Sequence, residues 1–309
     1  MSETPALLDG RVVIVTGGGR GIGRSHCLEL ATQGATVVVN DLGVGLGGDD
    51  EGQDPASEVV GLIESAGGTA STDGASVSDW EAMAALVAET VQRYGRLDAI
   101  VNNAGILRDA TISSVDERDF DAVLNVHLKG TFALMKHACV HWRSEHKAGR
   151  TPTGRIINTT SGTGLMGNVG QAAYGAAKAG IANLTLTAAM EGARYGVTAN
   201  CISPVAATRM TQSAGLADAL HDRGWNPMDP ANSSPVVAWL ASQQSGWLTG
   251  RVLRIDGGTV YPVRGWSLDA GYHSRSGEKL DANELDAGLR GLFGISPAGL
   301  AGLTSGGGR

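Results

Sequence analysis

The stretch that most restricts how this chain can fold is short. An apolar run, Val12 to Val15, meets TGGGRGIG at Thr16 to Gly23, and a helical pattern follows through His26, Leu28 and Leu30 toward Gly34. A continuous apolar run closed by a turn is the pattern of a strand buried on both faces, which needs parallel neighbours and helices over both sides. Strand, glycine turn and helix in that order also make an anion site, because the first N–H groups of a helix have no partners within it. Gly17 suits a tight turn, Gly21 lets backbone N–H groups approach a pyrophosphate, and Gly23 permits close packing of helix on strand. A dinucleotide is the ligand this context predicts.

The next strand, Thr36 to Val39, ends at Asn40 and Asp41. Asp41 stands about 20 residues beyond the glycine turn, where a carboxylate can hold the adenosine ribose hydroxyls. A 2′-phosphate would be repelled there, so Asp41 predicts NAD over NADP. Arg20, a cation inside the turn, pulls more weakly the other way.

Strands and helices keep alternating, as in a doubly wound α/β domain. Leu42 to Pro55 reads as a loop, followed by a helix from Ala56 to Ala66, a strand near Thr69 to Thr72 and a helix from Trp80 to Tyr94. The strand Ala99 to Val101 leaves through Asn102, Asn103, Ala104 and Gly105, whose amides can satisfy backbone groups beside a cofactor. Phe120 to His146 reads as one long helix carrying Asn125, His127 and Lys129. Its late histidines, His137, His141 and His146, lack the further ligands a metal would need, so they read as solvent or subunit contacts and no metal is predicted. Arg155 to Thr160 and Thr198 to Ile202 are strands around a helix from Gln171 to Tyr195.

Pro204 to Pro235 is long for a connection and is expected to be a lid or binding loop. Val236 to Ala241 reads as a helix, and Arg251 to Asp256 as a last strand ending in Gly257 and Gly258. Beyond Trp266 the composition turns polar and Gly-rich, the pattern of a partly ordered tail. The expected organisation is therefore one dinucleotide-binding and catalytic domain over 1–265, with a substrate loop at about 204–235, and a tail over 266–309.

Composition narrows the function. A chain of 309 residues, 42% hydrophobic and without charge runs, is a soluble globular protein, and its net charge of −7 argues against general nucleic-acid binding. Cys27, Cys139 and Cys201 are few, scattered and odd in number, which fits buried thiols in a reducing compartment. No signal pattern, membrane-length apolar run or peroxisomal Ser-Lys-Leu ending is present, so the cytoplasm is expected.

Chemistry enters at Ser161 to Lys178, reading SGTGLMGNVGQAAYGAAK. Tyr174 and Lys178 stand one turn apart on a helix, so an ammonium lies close to a phenol and is expected to lower its pKa. Ser161, in the loop before them, could hold a substrate oxygen beside that phenol. By itself such a pair is common on helices.

The set Thr16-Gly17-x-x-x-Gly21-x-Gly23, Asn102-Asn103-Ala104-Gly105, Asn125, Ser161 and Tyr174-x-x-x-Lys178, in that order, resembles the short-chain dehydrogenase/reductase family. The likeness runs from Asp9 to Gly258. It implies a single Rossmann-type domain with a central parallel sheet of seven strands. It also implies Tyr174 as general acid/base, Lys178 as the group that lowers its pKa and binds the nicotinamide ribose, Ser161 as a hydrogen-bond donor to the carbonyl, and Asn125 as the anchor of a water linking Lys178 to solvent. The NAD contacts implied are Gly17, Arg20, Gly21, Ile22, Gly23, Asp41, Ser76, Val77, Asn103, Ala104, Gly105, Tyr174, Lys178 and Pro204. Two places depart from the family pattern. An aspartate is usual just after the third strand, but this chain has Ala75 there with Asp73 two residues earlier, and Pro204-Val205 stands where Pro-Gly is common.

VVVNDLG (Val37 to Gly43), NNAGILRD (Asn102 to Asp109), ATRMTQ (Ala207 to Gln212) and GNVGQAAYGAAKAG resemble one branch more closely, the dehydrogenase portion of peroxisomal multifunctional enzymes of β-oxidation. That resemblance implies oxidation of a (3R)-3-hydroxyacyl-CoA, fatty or steroid in its side chain. A 17β-hydroxysteroid dehydrogenase and a 3-oxoacyl-carrier-protein reductase are the alternatives, and a non-catalytic dinucleotide-binding regulator is the rival of a different class. Acyl-CoA would need cations, for which Arg108, Arg209, Arg223 and Arg264 are candidates. A steroid would need an apolar cleft, for which Leu165, Met166, Val169, Met210, Leu216, Leu220 and Trp225 are candidates. Arg143, Lys147, Arg150 and Arg155 cluster at the opposite edge. The resemblance further implies a homodimer or homotetramer through the helices Phe120–His146 and Gln171–Tyr195, with Ala172, Ala173, Ala176, Ala177 and Gly180 allowing close packing.

Overall fold

The computed structural model describes residues 6–44, 54–206, 225–265, 268, 271–274, 277 and 279–293. The chain divides into a unit of Met1–Val263 and a unit of Arg264–Arg309. The described residues of the first unit form an eight-stranded sheet in the order β3-β2-β1-β4-β5-β6-β7-β8. Its strands are β1 (Val12–Thr16), β2 (Thr36–Asn40), β3 (Thr69–Asp73), β4 (Ala99–Asn102), β5 (Arg155–Thr159), β6 (Thr198–Val205), β7 (Arg251–Asp256) and β8 (Thr259–Val263). The first seven run parallel and β8 is antiparallel to β7.

The expected seven parallel strands are therefore present with one strand more. Gly257, at φ 53°, and Gly258 make the two-residue turn that returns the chain alongside β7. TVYPV did not read as a strand because its residues face solvent and it contains Pro262, which only an edge strand tolerates.

Helices cover both faces. On one side α1 (Gly21–Thr32), α2 (Pro55–Ser65) and α8 (Ser234–Ala241) close over Val13, Val15, Val37 and Ile202. On the other, α3 (Trp80–Tyr94), α5 (Gly130–Lys147) and α7 (Ala172–Gly192) close over Ile14, Ile100, Ile156 and Ala199. Local signals set their ends. The Asp79 side chain accepts from Glu81 N and Ala82 N at 3.0 Å each to start α3, and Gly95 in the left-handed region ends it. No helix among the described residues is long and apolar enough to cross a membrane.

The long helix expected over Phe120–His146 is three pieces in line: α4 (Glu117–Leu124), a π-helical segment at Asn125–Lys129, and α5. Gly130 N–H reaches back five residues to Asn125 O, and a Cβ at Gly130 would stand 2.8 Å from Val77 Cγ2. The helical register thus shifts where Asn125 lies, just before the close packing of Gly130 on the turn after β3. A short helix not anticipated, α6 (Gly162–Met166), starts at Ser161, whose side chain accepts from Thr163 N. Ala173 and Ala177, expected at a subunit contact, are buried inside the unit against Ile106 and Val123.

At the edge of the sheet where β1 and β4 begin, Asp98 is only 5% exposed. Its Oδ2 accepts from Val12 N at 2.8 Å and both carboxylate oxygens accept from Arg96 at 2.7 Å. Arg11, also buried, lies 4.0 Å away and donates to Thr153 O at 2.9 Å. Arg155 is buried too, with Nε donating to Ser242 O at 2.9 Å, so it is part of the core rather than of an exposed basic cluster.

In the second unit, the helix α9 (Ala282–Phe293) packs Gly288 on the Tyr272 ring, and Tyr272 Oη donates to Glu284. The loop segment 45–53, most of the expected substrate loop (207–224, with Arg209, Met210, Leu216, Leu220 and Arg223) and the end of the tail (294–309) lie outside the described residues.

Removing the Asp98 carboxylate would leave Arg11 buried without its counter-charge. Asp98→Ala is expected to lower the unfolding free energy by about 3 kcal/mol, measured by urea denaturation monitored through far-UV circular dichroism.

Candidate active site

Where β1 and β4 end, their exits are tied together. The Thr16 hydroxyl accepts from Asn103 N at 3.1 Å and Ala104 N at 3.2 Å, while Asn103 Nδ2 donates to Thr16 O and Gly17 O, both at 3.1 Å. The glycine turn closes on this tie. A Cβ at Gly17 would stand 2.8 Å from Ala104 Cα, and one at Gly23 would overlap the Gly17 carbonyl oxygen. Gly21 differs: at φ 52° it begins α1, and a Cβ there would meet nothing within 4 Å. The start of α1 therefore opens onto free space, and its N-cap residue Arg20 makes no side-chain cap. Unpaired helix N–H groups against a Cβ-free backbone form a cradle that fits a pyrophosphate.

That space is a cleft of about 240 Å³. Of the sequence-predicted dinucleotide contacts, Gly17, Arg20, Gly21, Ile22, Gly23, Asp41, Ser76, Val77, Asn103, Ala104 and Gly105 line it together. Asn40, Leu42, Val44, Ala75, Ile106 and Val126 line it as well and were not anticipated. Most are direct chain neighbours of the residues singled out, so strand ends alone would have found them. Asp41 is held rigidly, its Oδ2 accepting from Gly19 N and its Oδ1 from Gly43 N, each at 2.9 Å. Arg20 Nη1 donates to Val44 O at 3.2 Å. Asp73 is occupied in holding Asn40 Nδ2 at 2.5 Å and Ala75 N at 3.1 Å, which leaves Ala75 itself on the cleft wall.

Tyr174, Lys178, Ser161 and Pro204 are not part of that lining. Pro204 lies in β6, paired with Ile255 of β7, and β6 continues through Val205 without a glycine turn. Ser161 and Tyr174 do come together. Ser161 Oγ accepts from Thr163 N at 3.3 Å, which leaves its own O–H for the Tyr174 phenol oxygen. Lys178 is buried, with Nζ donating to Thr159 O at 2.8 Å and lying 5.6 Å from the centre of the Tyr174 ring.

The electrostatics depart from expectation. Burial raises the Tyr174 pKa above its ordinary value, the hydrogen bond from Ser161 works against that, and the Asp109 carboxylate adds to it. Lys178 is not among the groups that shift the Tyr174 pKa, and burial lowers the Lys178 pKa itself to about 8. Asn125 begins the π segment and lines a groove with Leu128, Phe132, Gly180 and Leu184, and among the described residues no hydrogen bond joins it to Lys178.

A polar cluster borders the serine–tyrosine loop. The Gln171 amide donates to Asp109 at 2.9 Å and accepts from Thr163 and Asn168 at 2.9 Å each. Of the cations considered for a phosphorylated substrate, Arg108 pairs with Asp119 at 3.1 Å. Of the apolar candidates, Met166 is 39% and Val169 91% exposed. No group of three or more His, Cys, Asp or Glu residues able to hold a metal occurs among the described residues.

The sequence pattern described as short chain dehydrogenase matches residues 11–218. The chain belongs to the short-chain dehydrogenase family. Members are oxidoreductases that act on CH–OH groups with a nicotinamide dinucleotide, which the cradle at Gly17–Gly23 suits. A crystal structure of a short chain dehydrogenase from Mycobacterium avium is 48% identical, covers 94% of this chain and 97% of its own, and superposes with a TM-score of 0.83. A Mycobacterium tuberculosis protein named hydroxyacyl-CoA dehydrogenase ChsB1 is 39% identical over 93% of this chain and 89% of its own length. The peroxisomal hydratase-dehydrogenase-epimerase of Neurospora crassa is 38% identical over 85% of this chain, which spans only 28% of that enzyme's length.

Gly23→Ala forces the β1–α1 turn apart at the Gly17 carbonyl. It is expected to weaken NADH binding by at least about tenfold, a loss of about 1.4 kcal/mol, in a fluorescence titration.

Proposed function

We propose that this chain is an NAD-dependent dehydrogenase that interconverts a (3R)-3-hydroxyacyl-CoA and the 3-oxoacyl-CoA. The observation that carries the chemistry is the meeting of the Ser161 hydroxyl with a Tyr174 phenol beside a buried Lys178. With substrate bound, Ser161 donates its one hydroxyl hydrogen to the substrate oxygen in place of the phenol, and Tyr174 exchanges the hydroxyl proton with the substrate. In oxidation that proton passes to the phenolate oxygen of Tyr174; in reduction the phenol returns it. A bound nicotinamide dinucleotide supplies the acceptor or donor of the hydride at the same carbon. Lys178, tied to Thr159 O, stands beside the ring as the cation of the site, and Asn125 lines the groove formed with Leu128, Phe132 and Leu184.

NAD is favoured over NADP by the Asp41 carboxylate, which two backbone N–H groups hold at the cleft wall where a 2′-phosphate would meet it. The acyl-CoA substrate is supported by the names of the relatives over this same stretch of chain. The groove lined by Leu128, Phe132 and Leu184 supports a homodimer or homotetramer, and three free thiols fit the cytoplasm.

Tyr174→Phe keeps the ring and removes the proton carrier. It is expected to cut kcat by roughly 10² to 10⁴ while NADH still binds; turnover surviving this change would overturn the mechanism. Asp41→Ala is expected to narrow the preference for NAD in kcat/KM, and a wild-type preference for NADP would refute the Asp41 argument.

The pH dependence has a definite sign. Oxidation needs the phenolate, and burial raises the phenol above its ordinary value of about 10, so the oxidation rate should still be climbing at about pH 9 without a plateau, while reduction, which needs the phenol, stays level to there and falls only above about pH 10, in initial rates measured both ways.

A further inference from the structure

We infer that His127 is a positioning residue of this reaction, holding the wall of the dinucleotide cleft and the ring of Tyr174 in one fixed relation. The inference rests on the dehydrogenase reading above. His127 lies in the π segment, two residues beyond Asn125, and is 1% exposed. Its Nε2 is 2.8 Å from Ile106 O and 3.1 Å from Ile106 N. Its Nδ1 is buried without a partner among the described residues. The 2.8 Å contact to the Ile106 carbonyl oxygen is a hydrogen bond only if Nε2 carries the hydrogen, so the favoured tautomer donates from Nε2 and leaves Nδ1 as a bare acceptor.

Ile106 and Gly105 line the cleft, and Gly105 has no room for a side chain because the His127 ring fills the place of its Cβ. On its other side the same imidazole meets Tyr174, with ring centres 5.2 Å apart and planes at 87°. That is the edge-to-face arrangement aromatic rings prefer. One rigid side chain therefore touches both the wall against which the cofactor would lie and the residue that exchanges the proton.

His127 does not itself exchange protons. The groups around it are Lys178 on α7 and the Ile106 backbone, and burial first, then the Lys178 charge, hold its pKa down at about 3. It is neutral throughout the working range, and its contribution is geometric. Hydride transfer needs the reacting atoms about 3–3.5 Å apart, and a misplacement of about 1 Å can cost about 10²-fold.

Two variants separate the two contacts. In His127→Gln the side-chain amide can still donate to Ile106 O, but no ring supports Tyr174. Its NADH dissociation constant is expected to stay within about twofold of wild type while kcat falls about tenfold. His127→Ala loses both contacts, and NADH binding is expected to weaken severalfold as well. The primary deuterium isotope effect on kcat, with substrate deuterated at the reacting carbon, should exceed the wild-type value in His127→Gln. A merely structural role would instead lower kcat in proportion to lost NADH sites and leave the isotope effect unchanged.

Folded His127→Gln and His127→Ala proteins with wild-type kcat and NADH affinity would overturn the inference. Should the wild type bind NADH yet turn over no acyl-CoA, the substrate reading fails. His127 is then judged by NADH affinity in His127→Ala, where a severalfold loss supports the inference and no change overturns it. If His127→Ala does not fold, His127→Phe, which keeps a ring and loses the donor, takes its place in that comparison with the same two outcomes.

Discussion

The site depends on the tie between the ends of β1 and β4, where the Thr16 hydroxyl and the Asn103 amide satisfy one another's backbone groups across two parallel strands. Parallel strands that end side by side leave a crevice at their carboxyl edge, and the tie sets its floor. The glycine turn can then fold flat over that floor only if Gly17 and Gly23 lack side chains, since a Cβ at either would strike backbone. With the turn flattened, the start of α1 faces the crevice and Asp41 can reach Gly19 N from the end of β2. Phosphate cradle and ribose-facing acid both follow from one packing constraint.

Burial governs the chemistry beside that cleft. Lys178 sits inside the unit against Thr159 O, and Asn102, Asn158 and Thr185 form a buried hydrogen-bonded chain from β4 through β5 to α7, with distances of 2.8 and 2.9 Å. These polar groups are satisfied within the protein, so they fix α7 against the sheet with little freedom. The same burial disfavours charge, lowering Lys178 and His127 and raising Tyr174. The site accordingly favours the neutral Tyr174 phenol at rest, with the Ser161 hydrogen bond as the local counterweight that favours the phenolate.

Much of this could be read from residues alone, for identifiable reasons. Buried parallel strands such as β1 and β2 carry continuous apolar runs, and the glycine turn has a spacing few other structures need, so the parallel strands and most of the residues lining the cleft were legible. The edge strand β8 was not, since an exposed strand with a proline carries no apolar pattern. Nor was the π segment at Asn125–Lys129, which leaves no mark in the helical pattern and ends where Gly130 packs on Val77, far away in sequence. The pKa of Tyr174 was misread because one-turn spacing from Lys178 shows proximity but not desolvation. His127 passed as one residue in a long helix; only the folded chain brings its ring between Ile106 and Tyr174.

The most direct test of the account is a comparison of kcat/KM for a (3R)-3-hydroxyacyl-CoA and a 17β-hydroxysteroid, each with saturating NAD, on the wild-type protein. The account expects the thioester to be preferred by at least about tenfold, or about 1.4 kcal/mol of transition-state stabilisation. Efficient oxidation of the steroid with the thioester inert would contradict it.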